Sequence, residues 1–242
     1  MMANFIATFR IPAWMSSLDW HGAKMPDGAP LDGETVRLEH LEASRHASQI
    51  YAAVKGAAEL WQFLPYGPFE NERAFTEWIA ECAASTDPLF YAIVDRASGV
   101  PLGLGSYLRM VPQHGVIEVG HLLFTPRLQR TRQATEAIYL WARHAFDDLG
   151  NRRLEWKCNA LNAPSRRAAE RFGFIFEGQF RRHMVVKGRN RDTAWYSITA
   201  EEWPTRRDAF EAWLSPDNFD PSGRQLRSLA EVRQGIQAAS TG

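Results

Sequence analysis

Three arginines in one short loop carry the strongest chemical signal in the sequence. Arg127, Arg130 and Arg132 lie between an apolar segment that ends at Phe124 and an amphipathic segment that begins near Ala134. A helix that begins there would present unpaired N–H groups and a partial positive charge to the loop. Such helix ends bind anions, and arginine pairs with phosphate oxygens through two hydrogen bonds. The pattern therefore predicts a diphosphate site, and a solvated basic loop before a surface helix is the alternative.

The segments that must position this loop alternate between strand and helix patterns. Alternating or dense apolar residues predict strands at 35–41, 89–94, 100–110, 116–124, 153–159, 174–177, 182–187 and 193–199. Periodic apolar residues predict helices at 43–60, 71–84, 134–149, 163–172 and 201–214. This order predicts an α/β (α+β) fold with one mixed, mostly antiparallel central sheet and helices on both faces.

One domain with two extensions accounts for the length of 242 residues. Turn-forming Gly, Pro and Asp residues at 21–34 mark residues 1–34 as an N-terminal extension. The domain is predicted at 35–214. Residues 215–242 are polar and turn-rich, so we expect a C-terminal tail whose last residues are disordered.

Composition excludes several classes of protein. Lysines and arginines number 28, as do aspartates and glutamates, so net charge predicts neither nucleic acid nor an anionic membrane as a partner. No apolar segment approaches the ~20 residues that span a bilayer, and the first residues do not resemble a secretory signal. Cys82 and Cys158 suit reduced core thiols of a cytoplasmic protein. No Cys/His spacing suggests zinc, and we predict no metal.

The arginine-rich loop resembles the acyl-CoA loop of the GNAT superfamily of N-acetyltransferases. In that family a Pro after the fourth strand precedes an R/Q-x-x-G-x-G/A pattern, and here Pro126 precedes Gln129 and Ala134. Arg132 stands where the first Gly is usual, so the geometry around the phosphates should differ in detail. The resemblance implies that acetyl-CoA is held by Leu122, Leu123, Phe124, Gln129, Arg130, Thr131, Arg132, Gln133, Ala134 and Thr135.

A second segment, which starts Asn162-Ala-Pro-Ser165 and ends Gly-Phe174, is similar to the N-x-x-S…G-F segment of the RimJ/RimL-type branch. That branch acetylates protein N-terminal amines. The resemblance implies that Asn162 contacts the pantetheine arm and that Ser165 protonates the leaving CoA thiolate, with Arg166 as a further cofactor contact. Ala169 stands where many other members place a Tyr. The alternative is structural, with Ser165 as a helix N-cap and Asn162 as a turn residue.

The general base is predicted on the strand at 116–124. A carboxylate there often serves as base in the family, which implies this role for Glu118. Strict alternation would place Glu118 on one face with Leu122 and would place His121 on the opposite face. His121 is an alternative base, although a lone histidine on a strand is more often a packed residue. His183 and Glu177 are weaker candidates.

Two further features are open to two interpretations each. Trp61, Phe63, Tyr66 and Phe69 would either wall the acceptor pocket or form a hydrophobic lid on the core. The basic run 181–191 is a solvated hairpin or a surface that binds acidic substrates.

The resemblance thus implies transfer of an acetyl group from acetyl-CoA to a primary amine by direct attack in a ternary complex. The acceptor would be a protein N-terminus or a small amine or amino acid. A catalytically inactive acyl-CoA-binding module is the alternative. A third class, an interaction protein, would use the two extensions, which could also form a homodimer interface.

Overall fold

The structure, a computed structural model, describes residues 18–240, so residues 1–17 of the predicted N-terminal extension and residues 241–242 of the predicted tail lie outside it. The strands are β1 (Leu31–Asp32), β2 (Val36–His40), β3 (Leu89–Asp95), β4 (Pro101–Val111), β5 (Val116–Phe124), β6 (Arg153–Asn159), β7 (Ile175–Val186) and β8 (Arg189–Thr199). The α-helices are α1 (Ala43–Val54), α2 (Glu72–Ala84), α3 (Arg132–Arg143), α4 (Ala163–Arg171), α5 (Trp203–Leu214) and α6 (Leu229–Ser240).

All eight strands belong to one sheet, in the order β1-β2-β3-β4-β5-β6-β8-β7. Neighbours are antiparallel except β5 and β6, which are parallel. The predicted mixed, mostly antiparallel sheet is therefore confirmed. The parallel pair is short, because Val116, Ile117 and Glu118 pair with β6 and the rest of β5 does not. Beyond Glu118 the two strands diverge and leave an opening in the middle of the sheet.

Apolar side chains cover both faces of this sheet. On one face, Ile50 of α1 and Ile79 of α2 pack with Leu123 of β5 in a cluster of buried residues. On the other face, α3, α5 and α6 supply a larger cluster that includes Trp141 and Phe210. Burying such side chains contributes about 1.5–3 kcal/mol each. The predicted helices on both faces are confirmed.

Local signals set the beginnings of the two best-predicted helices. The Asn71 side chain accepts a hydrogen bond from the Ala74 N–H at the start of α2, as an N-cap residue does. Thr131 caps α3 in the same way through the Ala134 N–H. Helix α3 therefore begins two residues before the predicted position. It ends at Arg143, and one π-helical turn carries the chain on through residue 148.

The β7–β8 hairpin is longer than the sequence predicted. The predicted break between two strands at 174–177 and 182–187 is wrong, because β7 continues through it with Arg182 at φ 53° and an irregular register. The turn consists of Lys187 and Gly188, at φ 50° and 71°, rather than Gly-Arg-Asn. Positive φ at both central residues matches the twist of a two-residue hairpin. Arg191 consequently lies on a strand.

The segments on either side of the predicted domain pack against it. The expectation of a turn-rich tail is wrong for residues 229–240, because α6 buries Leu229 and Val232 in the larger cluster. At the other end, Trp20 donates its indole N–H to the Gln113 carbonyl. The boundaries at 34 and 214 stay predictions.

Glu136 of α3 binds the backbone at the start of β2. Its carboxylate is buried and accepts hydrogen bonds from the backbone N–H groups of Glu34, Thr35 and Val36, at 2.6, 2.8 and 3.0 Å. A Cβ at Gly33 would lie 2.7 Å from this carboxylate, so the close approach requires glycine. One buried side chain thus fixes the start of β2 against α3.

No helix within residues 18–240 has the length and apolarity to cross a membrane. The same residues contain no group of three or more His, Cys, Asp or Glu side chains placed to hold a metal ion.

Candidate active site

A cleft of about 1530 Å³ opens where β5 and β6 diverge. Residues 118–124 of β5 and 156–159 of β6 line it, so it passes between the strands from one face of the sheet to the other. On the α3 face it meets the arginine-rich loop and the segment after α5. On the α1–α2 face it meets residues 59–65 and the β7–β8 hairpin. The divergence of two strands therefore connects the predicted anion site to a second compartment.

This cleft brings together most of the predicted site residues. Those that line it are Glu118, Leu122, Leu123, Phe124, Gln129, Arg130, Thr131, Arg132, Gln133, Ala134, Thr135, Asn162 and Ser165. Arg166 does not line it, because its guanidinium donates to the Tyr196 hydroxyl and lies over the Phe176 ring.

The N-terminus of α3 is open toward the cleft. Arg132 and Gln133 occupy the first turn, where backbone N–H groups have no partner within the helix. Arg130 precedes them at φ 62°, a left-handed conformation that a non-glycine residue adopts at some cost. Ala134 is buried and carries no side chain that could cover the helix end. The arrangement fits an anionic group such as a phosphate.

The Arg132 side chain turns away from this helix end. It donates a hydrogen bond to the Leu214 carbonyl at the end of α5, and its guanidinium lies 5.0 Å from the centre of the Phe219 ring. Arg132 itself has an ordinary helical position, since the positive φ falls on Arg130. The arginine at the usual glycine position therefore leaves the helix N-terminus accessible.

Positive charge is concentrated in the cleft of an otherwise neutral chain. Only two acidic residues line it, Glu59 and Glu118. The eight basic lining residues are Arg109, Arg130, Arg132, Lys157, Arg167, Arg171, Arg191 and Arg224. Such an excess draws anionic ligands into a cleft.

Several of these basic residues were missed in the sequence. Arg171 donates to the Thr135 hydroxyl at 3.0 Å, and burial lowers the pKa of its guanidinium, as does nearby Arg233. Ser165, Ala168 and Arg171 are three residues apart on α4, so helical spacing could have placed Arg171 in the cleft. No local signal indicates Arg224, which reaches the cleft through the packing of the tail.

Ser165 and Asn162 each combine a structural bond with a position in the cleft. The Asn162 side chain accepts from the Ser165 backbone N–H at 3.1 Å, so Asn162 is the N-cap of α4 and Ser165 is not. The Ser165 hydroxyl accepts from the Trp156 indole N–H at 3.0 Å. Because the hydroxyl accepts there, its proton is free to be donated. Ala169 is fully buried and cannot act in the cleft.

Glu118 lies in a network of alternating charges. Its Oε2 is 2.6 Å from Arg109 Nη1 and 2.9 Å from Lys157 Nζ. Lys157 also bonds Glu155 at 2.5 Å and lies 3.9 Å from the centre of the Trp195 ring. One Glu118 oxygen is therefore occupied, while Oε1 has no hydrogen-bond partner among residues 18–240.

The network continues away from the cleft and includes one of the weaker base candidates. Arg153 bonds Glu155 at 2.7 Å and Glu177 at 2.5 Å. His183 shares a hydrogen bond with the Thr193 hydroxyl. Neither Glu177 nor His183 lines the cleft.

The predicted placement of His121 and Leu122 is wrong. Leu104 pairs with Leu123 and Ser106 pairs with Gly120, so two residues of β5 lie opposite the single Gly105. This β-bulge, with His121 at φ 52°, reverses the alternation. Leu122 approaches Trp141 on the α3 face, and His121 joins Glu118 on the other face.

His121 contacts the aromatic segment on the α1–α2 face. Its Nδ1 is 3.0 Å from the Tyr66 hydroxyl oxygen, and its ring packs against Phe90. Burial, together with the charges of Arg109 and Arg191, lowers the pKa of His121 to about 4. The imidazole is therefore neutral at pH 7.

Of the four aromatic residues predicted to form either a pocket wall or a hydrophobic lid, three pack in the core and one lines the cleft. Trp61, Tyr66 and Phe69 pack with Phe75 and Trp78 over ring distances of 4.4–6.5 Å, as in a hydrophobic core. Phe63 lines the cleft.

Comparison with known proteins agrees with this geometry. A family model described as an acetyltransferase (GNAT) domain matches residues 35–175. A GCN5-related N-acetyltransferase from Brucella melitensis is 45% identical, with a TM-score of 0.87 over 89% of this chain and 99% of that one. A probable GNAT-family acetyltransferase from Chromobacterium violaceum is 44% identical, with a TM-score of 0.75 over 80% and 98%.

More distant structures share the fold alone. The microcin C7 self-immunity acetyltransferase MccE, in complex with acetyl-CoA and AMP, is 18% identical, with a TM-score of 0.61 over 69% of this chain and 93% of that one. No functionally curated protein matches the chain significantly. The family match over more than half of the chain confirms the resemblance seen in the sequence, and this chain belongs to the GNAT family of acetyltransferases.

Proposed function

We propose that this protein transfers an acetyl group from acetyl-CoA to a primary amine by direct attack in a ternary complex. The single observation that carries the proposal is the continuous cleft between β5 and β6. It joins an open helix N-terminus and Ser165 on the α3 face to a compartment on the α1–α2 face that contains Glu118. A donor and an acceptor can therefore occupy opposite faces of the sheet and meet where the strands diverge.

The diphosphate of the donor is assigned to the N-terminus of α3. The N–H groups of Arg132 and Gln133 would bind phosphate oxygens, and Arg130 and Arg171 would add charge-assisted hydrogen bonds. The unpaired edge of β5 at Leu122–Phe124 would accept the pantetheine amides in the way that a sheet edge accepts a strand. The Phe124 carbonyl already accepts from the Gln129 side chain, so Gln129 shapes this edge.

Ser165 is assigned as the proton donor to the CoA thiolate. The Trp156 indole fixes its oxygen and leaves its proton available. The thioester C–S bond breaks as the amine nitrogen bonds to the acetyl carbon, and the Ser165 hydroxyl proton goes to the sulfur. A proton from water then restores the hydroxyl.

Glu118 is assigned as the base that takes a proton from the amine, directly or through water. Its Oε2 is held by Arg109 and Lys157, so Oε1 is the oxygen that can accept. His121 is the weaker choice, because an imidazole with a pKa of about 4 is a poor proton acceptor at pH 7.

Nothing in the cleft favours an inactive binding module. Two sequence features suggested it, the arginine at 132 and the missing Tyr at 169. The Arg132 side chain leaves the helix end open, and Ser165 offers a proton in place of the Tyr.

The first test is calorimetric titration with acetyl-CoA. The wild type should bind in the micromolar range, and Arg130→Ala should weaken binding about tenfold or more, because one charge-assisted bond to phosphate is lost. Arg127→Ala is the matched control, since Arg127 is an exposed arginine of the same loop that does not line the cleft. No binding at millimolar acetyl-CoA would refute the donor site.

Transfer is tested by the release of CoA with a panel of primary amines. Ser165→Ala should lower kcat about 10- to 100-fold and leave the affinity for acetyl-CoA within about threefold. Binding without transfer to any amine would favour the inactive module instead.

A further inference from the structure

Arg191 is a cation without a partner in the compartment on the α1–α2 face. It lies on β8 and lines the cleft. Its Nε is buried, and among residues 18–240 the guanidinium makes no hydrogen bond or ion pair. Burial lowers the pKa of Arg191, because removing a cation from water disfavours its charged form. Arg191 as a whole is half-buried, and a partly buried charge without a partner is costly, so a partner from outside the chain is expected.

Two carboxylates near Arg191 already bind other groups. Asp192 is the next residue, and its side chain accepts from Gln179, from Asn190 and from the Arg182 backbone N–H. Glu118 gives its Oε2 to Arg109 and Lys157. Asp192 is therefore engaged elsewhere, and the charge of Glu118, which also acts on Arg191, is shared with the two cations that bind its Oε2.

The adjacent network is balanced without Arg191. It pairs three cations with three carboxylates, which are Arg109, Arg153, Lys157, Glu118, Glu155 and Glu177. Arg191 is thus an excess positive charge, and an anionic ligand would restore neutrality in this compartment.

This excess charge lies near the proposed reacting atoms. The Arg191 charge lowers the pKa of His121 and opposes the rise that burial causes in the pKa of Cys158. Arg191, Cys158 and Ser165 all line the cleft. An anion on Arg191 would therefore lie in the same cleft as an amine that attacks beside Ser165.

The compartment is bounded on two sides. Residues 59–65 form one wall, and Met184 and Arg191 belong to the other. Lys187 Nζ donates to the Trp61 carbonyl at 2.8 Å and ties the hairpin to the aromatic segment. This hydrogen bond closes the space between the hairpin and the aromatic segment. A small acceptor therefore fits the compartment better than an extended chain does.

We infer that the acceptor is a small amino acid-like molecule whose anionic group, a carboxylate, pairs with Arg191 while its amine attacks the thioester. The inference rests on the proposed acetyl transfer and names its substrate class. Arg191 binds the carboxylate through two parallel hydrogen bonds, which also orient the amine. The specificity lies in the charge of the acceptor and is independent of acetyl-CoA binding.

The test uses matched pairs of acceptors. Each α- or short ω-amino acid is compared with its own carboxamide, and kcat/KM is measured from CoA release. At least one wild-type pair should favour the carboxylate by about tenfold or more. Arg191→Gln should reduce this preference about 10- to 100-fold, Arg191→Lys should restore part of it, and the KM for acetyl-CoA should not change. Arg189→Gln is the control, an exposed arginine of the same strand that does not line the cleft.

Two outcomes overturn the inference and leave the proposed function standing. One is equal turnover of acids and amides by the wild type, a result that needs no variant to fold. The other is a peptide N-terminus without a nearby anion as the best acceptor. An equal loss for both members of a pair in Arg191→Gln would mean that Arg191 only supports the structure.

Binding gives a readout without turnover. In the presence of CoA, an N-acetyl amino acid should bind the wild type at least tenfold more tightly than its amide, and Arg191→Gln should abolish the difference. Equal binding of the acid and its amide by the wild type also overturns the inference. Failure of the proposed function would appear separately, as acetyl-CoA that binds but is transferred to no amine.

Discussion

His121 reaches the cleft because β5 contains one extra residue. The bulge opposite Gly105 turns the imidazole toward Tyr66, and a Cβ at residue 105 would lie 2.6 Å from both Leu122 and Trp141. The same bulge separates His121 from the face that strict alternation would give it. At the residue scale, the site thus depends on a local irregularity as much as on residue type.

The buried, neutral state of His121 predicts a dependence of stability on pH. The pKa of about 4 in the folded protein lies below the ordinary value of about 6.5. As the pH falls below about 6.5, the unfolded state binds a proton at this histidine and the folded state does not, so folding is disfavoured. The stabilisation present above pH 6.5 should decline by up to about 3 kcal/mol as the pH falls through 4.

Urea unfolding at several values between pH 7 and pH 4 measures this effect. The free energy of unfolding of His121→Gln should fall less with acidification than that of the wild type. His114→Gln, a change at an exposed histidine, should follow the wild type. Parallel curves for wild type and His121→Gln would show that the imidazole is not held neutral.

At the element scale, the start of α3 and the segment after α5 form one unit. Arg132 connects them through the Leu214 carbonyl and the Phe219 ring. Trp213 and Gln225, which share a hydrogen bond, also line the cleft. The tail therefore contributes a wall near the proposed diphosphate site, although it lies outside residues 35–175 of the family match.

This connection predicts opposite effects for two neighbouring arginines. Arg132→Gln should lower the free energy of unfolding by about 1–3 kcal/mol, because it removes a hydrogen bond and a cation–π contact. It should leave the Kd for acetyl-CoA within about threefold. Arg130→Ala should do the reverse. Thermal unfolding measures the stability of both variants, and calorimetry measures their Kd for acetyl-CoA. A large rise in Kd for Arg132→Gln would mean that the Arg132 side chain binds the phosphate after all.

The sequence predicts elements better than it predicts breaks in their pattern. Local signals such as the Asn71 cap and the apolar period of α3 are contained within a few residues, and they placed those helices correctly. The bulge at His121 and the divergence of β5 from β6 depend on neighbouring strands, which alternation cannot reveal. The direction of the Arg166 side chain likewise depends on Tyr196, a residue of β8 that local spacing does not place beside it.

At the scale of the whole molecule, both flanking segments hold the sheet in place. The Glu136 side chain of α3 binds the backbone at the start of β2, and α6 packs against the larger cluster of buried residues. The chain has no net charge, yet eight basic residues line one cleft. Composition could not reveal this concentration of charge, because it arises only when the chain folds. Cytoplasmic location and a homodimer stay predictions from the sequence.

The anchor at Glu136 predicts a large loss of stability without a loss of chemistry. In Glu136→Gln an amide NH₂ would face at least one of the backbone N–H groups of residues 34–36, and that donor would lose its acceptor. Losing charge-assisted bonds and leaving a donor unpaired costs about 2–4 kcal/mol. Glu81→Gln is the control, because Glu81 is an exposed glutamate on α2.

Urea unfolding should show a lower midpoint for Glu136→Gln at an unchanged m-value, which reports the same surface exposed on unfolding. Acetyl-CoA should bind the folded variant with the wild-type Kd, because Glu136 does not line the cleft. Equal midpoints for Glu136→Gln and wild type would mean that the anchor adds nothing to stability. A weakened Kd at normal stability would instead mean that the anchor positions the N-terminus of α3, since Glu136 follows the residues proposed to bind the diphosphate.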